Sequence, residues 1–250
     1  MLSTEELLQR FDPISIEEMD QVKLQNRMDT KYAFAEKDLT SILSELLPEY
    51  RLLVVNGDRG SSYRSLYFDT VDLKHYKDHH NGRSFRSKVR FREYVGSPLV
   101  FLEVKRKTGR GGTDKARKKV GSIPEALEPD QQNFISKASG CSEPLAAVMW
   151  NHFVRLTFVH RTRHERLTLD RFLKFSDVTG EQNLEGLCIA ELKEERADRT
   201  SPFAKVMRDR GIRPSGLSKY CAGLILLGKA PKHNTFKEAM LRVTRLRSAA

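Results

Sequence analysis

The stretch SFRSKVRFREY, Ser84 to Tyr94, places Arg86, Lys88, Arg90 and Arg92 at every second position. In a β-strand alternate side chains leave opposite faces, so the four cations share one face and Val89 and Phe91 take the other. Neighbouring cations then stand about 6.7 Å apart and repel by about 2.5 kcal/mol at an effective dielectric near 20. A row of like charge on this scale restricts the folds open to the chain, because something must supply the counter-charge.

Other segments repeat the pattern. Arg27, Asp29 and Lys31 share a face in RMDTKY (27–32), and Glu103, Lys105 and Lys107 share one in FLEVKRK (101–107). Arg166, Thr168 and Asp170 oppose Leu167 and Leu169, while Glu191, Lys193 and Glu195 oppose Ala190 and Leu192. A wet face on an antiparallel sheet explains any one of these strands. Arg and Lys recurring strand after strand, with single acids among them, fit a closed barrel better. Its apolar exterior would be covered by helices and its interior would be charged and water-filled. Such a lumen is costly without counter-ions and forms a strong site for a polyanion. Isolated acids inside it suit a hard divalent cation that also touches phosphate oxygens.

Along the chain, strands are expected at 24–34, 50–57, 63–70, 84–94, 99–107, 115–120, 152–161, 165–173 and 186–195. Helices are expected at 4–11, capped by Ser3, at 37–47, and at 202–211, 216–228 and 234–246. The class is therefore α+β, with antiparallel strands in hairpin-like succession and a helical C-terminal part. No repeat or low-complexity linker divides the 250 residues. A single domain over 1–250 is expected, with the barrel at about 20–228 and a basic helix at about 232–247.

The balance of 44 Lys and Arg against 33 Asp and Glu, net +11, calls for an anionic partner without choosing among nucleic acid, anionic lipid and phosphates. Phe91, Tyr67 and Phe68 sit mostly opposite the cations or in apolar runs, which argues against base stacking on nucleic acid. Cys141, Cys188 and Cys221 form no CxxC, and the acidic MLSTEELLQRF start is unlike a signal peptide. The longest apolar run, around AGLILLG (222–228), is too short to span a bilayer, so a soluble cytoplasmic protein is expected. The basic segment 234–250 could rest on anionic lipid, although packing on the barrel mouth is the simpler reading. His79 and His80, like His160 and His164, lack the acid or Cys that would complete a metal site. GRGG (109–112) lacks the Lys-Ser/Thr of a phosphate loop and reads as a hairpin connection. Asp69 and Asp72 read as caps of the turn after SLYF.

Eight motifs, in order, carry a resemblance: RMDTKY (27–32), SLYFDT (65–70), KVRFRE (88–93), FLEVKRK (101–107), KARKK (115–119), HRTRHERLTLD (160–170), IAELK (189–193) and LSKYCAG (217–223). Together they resemble the VTC-type polyphosphate polymerase domain of the triphosphate tunnel metalloenzymes. The resemblance implies an eight-stranded antiparallel barrel around a basic tunnel. It also implies catalytic roles for Lys31, Arg90, Arg92, Lys105, Arg161, Arg166 and Lys219. Arg27, Lys88, Lys115, Arg117 and Lys193 are expected to bind phosphate, and Glu191 with Glu103 to hold Mn²⁺ or Mg²⁺. The implied reaction moves the γ-phosphate of ATP onto inorganic polyphosphate, the two partners expected. Triphosphatase and cyclase relatives open with E-x-E-x-K, whereas this chain has Arg27-x-Asp29-x-Lys31, a more positive strand that favours the polymerase. The alternatives are an inorganic or nucleoside triphosphatase and a non-catalytic polyphosphate-binding module.

Overall fold

The computed structural model describes residues 2–21, 28–109, 112–196 and 198–248. The alternating segments become strands, as a period of two requires: β1 (Pro13–Ile14), β2 (Met28–Ala35), β3 (Tyr50–Leu53), β4 (Ser61–Asp69), β5 (Arg86–Tyr94) and β6 (Val100–Lys107). Then come β7 (Thr113–Val120), β8 (Ala146–His160), β9 (Glu165–Asp177), β10 (Gly180–Leu184) and β11 (Leu187–Glu194). The helices are α1 (Thr4–Gln9), α2 (Ile16–Gln21), α3 (Leu39–Leu46), α4 (Lys74–His80), α5 (Pro129–Ser139), α6 (Pro202–Asp209), α7 (Lys219–Leu226) and α8 (Lys237–Ser248). Ser3 caps α1 through a reciprocal pair with Glu6, as its sequence suggests. β8 starts six residues before the expected 152, because Ala146 and Ala147 continue the ladder along Asp69 and Phe68 of β4. β1 and β10 are additions to the expected strands.

Eight strands follow one hydrogen-bonded path, β2-β11-β9-β8-β4-β5-β6-β7, with antiparallel neighbours throughout. The expected closure of the barrel is corrected here: among the described residues, no hydrogen-bonded ladder joins β2 to β7, and both are edges. The edges nonetheless face each other, with Lys115 Nζ of β7 3.9 Å from Asp29 Oδ2 of β2. β7 carries Lys115, Arg117, Lys118 and Lys119 within eight residues. Such a lysine-rich edge resists pairing with another strand, above all one that presents Lys31.

The apolar outer faces are covered as binary patterning predicts. The stripe Leu39, Ile42, Leu43 and Leu46 of α3, with α1 and α6, packs on Phe34, Leu156, Phe158, Leu167 and Leu192. α5 contributes Ile135 to a second layer over Leu66, Phe68, Val89, Phe91, Leu102 and Val104. A third core fills one end of the curled sheet. There α7 lies against Met149 and Phe175, so closely that a Cβ on Gly223 would come within 2.6 Å of both. α8 adds Val243 to this core and contacts β2 and β11. It therefore packs on the filled end and not on the mouth. Among the described residues, no helix is long and apolar enough to cross a membrane.

Candidate active site

Register determines which inward side chains become neighbours. Along β4-β5-β6-β7, Tyr67 stands opposite Arg90, Arg90 opposite Glu103, and Glu103 opposite Arg117. One step further in, Lys88, Lys105 and Lys115 align. One step toward the other end come Ser65, Arg92, Phe101 and Lys119. On the opposite wall Lys31 pairs with Glu191, and Lys193 pairs with both Asp29 and Arg166. These rows enclose a cavity of about 910 Å³ lined from all eight strands and from Leu217, Ser218, Lys219 and Tyr220 around the start of α7.

The cavity gathers Lys31, Lys88, Arg90, Arg92, Lys105, Lys115, Arg117, Arg166, Lys193, Lys219, Glu103 and Glu191, twelve of the fourteen expected site residues. Arg27 lies outside the described residues. Arg161 is corrected: it sits in the turn after β8, exposed, donating to the Pro48 carbonyl at 2.8 Å and paired with Asp12 at 2.7 Å. The chain has already left the sheet at that point, so the side chain cannot reach the interior. The strand itself sends Arg155 into the cavity, a lone cation in the apolar FVRLTF run whose inward direction only the strand register reveals.

Three ion-pair groups organise the interior. Glu103 receives Arg90 at 2.7 Å, with Arg117 at 3.7 Å and Arg92 at 3.9 Å. Burial favours its neutral form, but Arg90, Arg92 and Arg117 outweigh this and hold the carboxyl at about 2. Asp170, 3% exposed, accepts a bidentate pair from Arg155 at 2.6 and 2.8 Å and a bond from the Lys219 ammonium. These two cations overcome its burial and keep it well below the usual carboxylate range. Glu191 lies 3.2 Å from Lys193 and interacts with Asp29. Burial is again outweighed, by Lys193, Lys31 and Arg155, so Glu191 also stays well below the usual range.

Cations outnumber these partners. Eleven basic side chains line the cavity against five lining carboxylates, Asp20, Asp29, Asp58, Glu103 and Glu191, with Asp170 behind Arg155 and Lys219 as a sixth. Burial, followed by Lys31, Lys105 and Arg90, pushes Lys88 down to about 7. Burial also brings Lys193 to about 8 and, with Arg155 and Lys31, brings Lys219 to about 8. Burial and the neighbouring cations lower these lysines even though Lys193 pairs with Glu191 and Lys219 with Asp170, an arrangement that suits a polyanion.

The donor set also bears on a metal. Asp29 and Glu191, adjacent on β2 and β11, offer the one or two carboxylates that Mg²⁺ or Mn²⁺ takes when phosphate oxygens and water complete its shell. Among the described residues, no group of three or more His, Cys, Asp and Glu side chains could hold an ion by itself. Glu103 is the weaker ligand of the expected pair, since three guanidiniums surround it.

Sequence reasoning missed two further features. Tyr67 faces the cations, accepting a hydrogen bond from Arg90 at 3.1 Å, and Tyr63 lies beneath Arg92 and Arg155. Their alternation with Ser65 along β4 carried the signal, but the apolar SLYF run obscured it. Asp69 turns out to be a structural clamp, as its capping pattern suggests. Buried, it accepts the amides of Thr70, His75 and Tyr76 at the start of α4, together with the Tyr220 hydroxyl of α7.

Among solved structures the fold is similar to HpAC1 of Hippeastrum, described as a candidate adenylyl cyclase with a dominant triphosphatase activity. The two share 16% identity at a TM-score of 0.49, over 81% of this chain and 96% of that one. The PH1819 protein of Pyrococcus horikoshii OT3 matches at 12% identity and a TM-score of 0.44, over 80% of this chain and 99% of that one. A conserved hypothetical protein of Pyrococcus furiosus matches at 11% and 0.43, over 78% and 99%. No curated protein matches the sequence significantly. The sequence profile of the VTC domain matches residues 26–227, which include every strand of the cavity wall, and the chain therefore belongs to the VTC domain family.

Proposed function

We propose that the chain transfers the γ-phosphate of ATP onto the end of an inorganic polyphosphate chain within this cavity. The observation that carries the reading is the excess of cations around the cavity described above, eleven against five carboxylates in its lining. Phosphoryl transfer needs positioning and charge neutralisation more than covalent help from the protein. Arg90, Arg92 and Arg155 are oriented by carboxylates and by the rings of Tyr63 and Tyr67, so they meet phosphate oxygens with little reorganisation. Lys88, Lys105 and Lys115 extend the positive surface inward for the remainder of the polyanion. Asp29 and Glu191 would hold Mg²⁺ or Mn²⁺, which supplies further charge neutralisation on the transferring phosphoryl group.

The state of the acids favours transfer over hydrolysis. Glu103, Asp170 and Glu191 are all held below the usual carboxylate range, which makes them weak bases for activating water. A terminal phosphate is already anionic and needs no base. The test is incubation of the protein with ATP, Mn²⁺ and short polyphosphate, followed by separation of the products by length. Chain growth with ADP release is expected. Free phosphate without growth would replace the reading with a triphosphatase, and binding without turnover would leave a polyphosphate-binding module.

A further inference from the structure

The mouth of the cavity differs in chemistry from its interior. Along β5 the inward residues run Lys88, Arg90, Arg92 and then Tyr94, so cation gives way to ring one step beyond Arg92, about 6.7 Å on. The neighbouring strands change together: Tyr63 stands opposite Tyr94, and Phe101 opposite Arg92. Tyr63 and Tyr94 lie 4.8 Å apart between centroids, and Tyr94 and Phe101 lie 5.9 Å apart. Arg117 sits over the Phe101 ring with its Cζ 3.3 Å from the centroid, and donates to the Tyr94 hydroxyl at 3.0 Å. Leu53, Val55 and Leu99 line the same opening.

An inorganic phosphate chain has no apolar surface for such a rim to cover. A nucleoside triphosphate has an anionic tail for the cationic rows and a planar aromatic head for the rings, joined by a sugar that spans the step between them. Planar bases stack on aromatic rings and on guanidinium planes, and the Arg117–Phe101 pair presents both. We infer that Tyr94, Phe101 and Arg117, with Tyr63 behind them, form a nucleobase subsite that makes the cavity prefer a nucleoside triphosphate to an inorganic triphosphate. The inference rests on the reading of the cavity as a triphosphate site.

The test is calorimetric titration of the protein with ATP and with inorganic tripolyphosphate at one ionic strength, which requires no turnover. The wild type should bind ATP more tightly. Phe101→Leu and Tyr94→Leu keep apolar strand residues but remove a ring, and each should weaken ATP by roughly tenfold while tripolyphosphate stays within about twofold. Tyr94→Phe, which keeps the ring and loses only the bond from Arg117, should retain the preference. It also reads the rim independently if a leucine variant folds poorly. Equal weakening of both ligands would mean that the rings only hold Arg117 in place, and equal wild-type affinities would likewise overturn the inference. Absence of chain growth in the activity test overturns the transfer reading but leaves this preference measurable. If neither ligand binds, both readings fall.

Discussion

Asp170→Asn tests whether the cavity is built to receive an anion. Asp170 joins three elements, because Arg155 comes from β8, Lys219 from α7 and Asp170 itself from β9. The amide keeps the shape and removes the charge, leaving two buried cations facing each other. Breaking a buried ion pair from one side costs about 3–5 kcal/mol, and a domain of this size loses about 2–4 °C of melting temperature per kcal/mol. The variant should therefore melt roughly 6–20 °C below the wild type without ligand. Tripolyphosphate at about a hundred times its Kd adds about 2.7 kcal/mol to a binding protein. It should help the variant more than the wild type, because the altered cavity holds one negative charge fewer, so the gap narrows on addition. The native carboxyl is held below the unfolded value of about 3.9, so its stabilisation is present above that value and is lost only in stronger acid. The carboxyl itself therefore adds no pH dependence above about pH 5, but Lys219, near 8 with Asp170 beside it, falls lower without it, so the gap should narrow as pH rises toward about 8. Thermal melts with and without tripolyphosphate measure all of this. A variant that melts within about 2 °C of the wild type, or gains no more from the polyanion, refutes the reasoning.

The lysines predict opposite pH trends for stability and for binding. Lys88 near 7 and Lys193 and Lys219 near 8 lie below the unfolded value of about 10.4, so the unfolded chain binds more protons between these limits. The ligand-free melting temperature should rise with pH across that window while tripolyphosphate affinity falls, and Lys88→Met should flatten the lower part of both curves. Glu191→Gln should abolish metal-dependent turnover yet leave metal-free tripolyphosphate binding unchanged or tighter; loss of that binding would make Glu191 structural. Arg155→Leu should weaken tripolyphosphate binding by at least about tenfold, the scale of one charge-assisted contact, whereas Arg161→Leu should change it by less than about twofold. Equal effects would contradict their placement inside and outside the cavity.

How much of this was legible beforehand differs by residue, for physical reasons. The row Arg86, Lys88, Arg90 and Arg92 declares itself, because a period of two is a local property of a strand. The apolar stripe of α3 and the cap at Ser3 are local in the same sense, and both form as read. Arg155 was hidden because a single cation among apolar neighbours has no local pattern, and Arg161 misled because it stands only one residue past the end of β8. Tyr67 and Phe101 acquire a role only when register sets them beside Arg90 and Arg92.

What the sequence determined by itself is the alternation of cations and apolar residues, and with it the class of fold, the sign of the cavity and most of the residues that face it. Tertiary structure alone decided which acid meets which cation, that the β2 and β7 edges meet through Lys115 and Asp29 without a hydrogen-bonded ladder, and that α7 fills one end of the sheet while rings surround the other. The reason is range. Periodicity acts between residues two to four apart, whereas the pairing of Asp170 with Lys219, or of Asp69 with Tyr220, spans 49 and 151 positions and exists only once the sheet has curled.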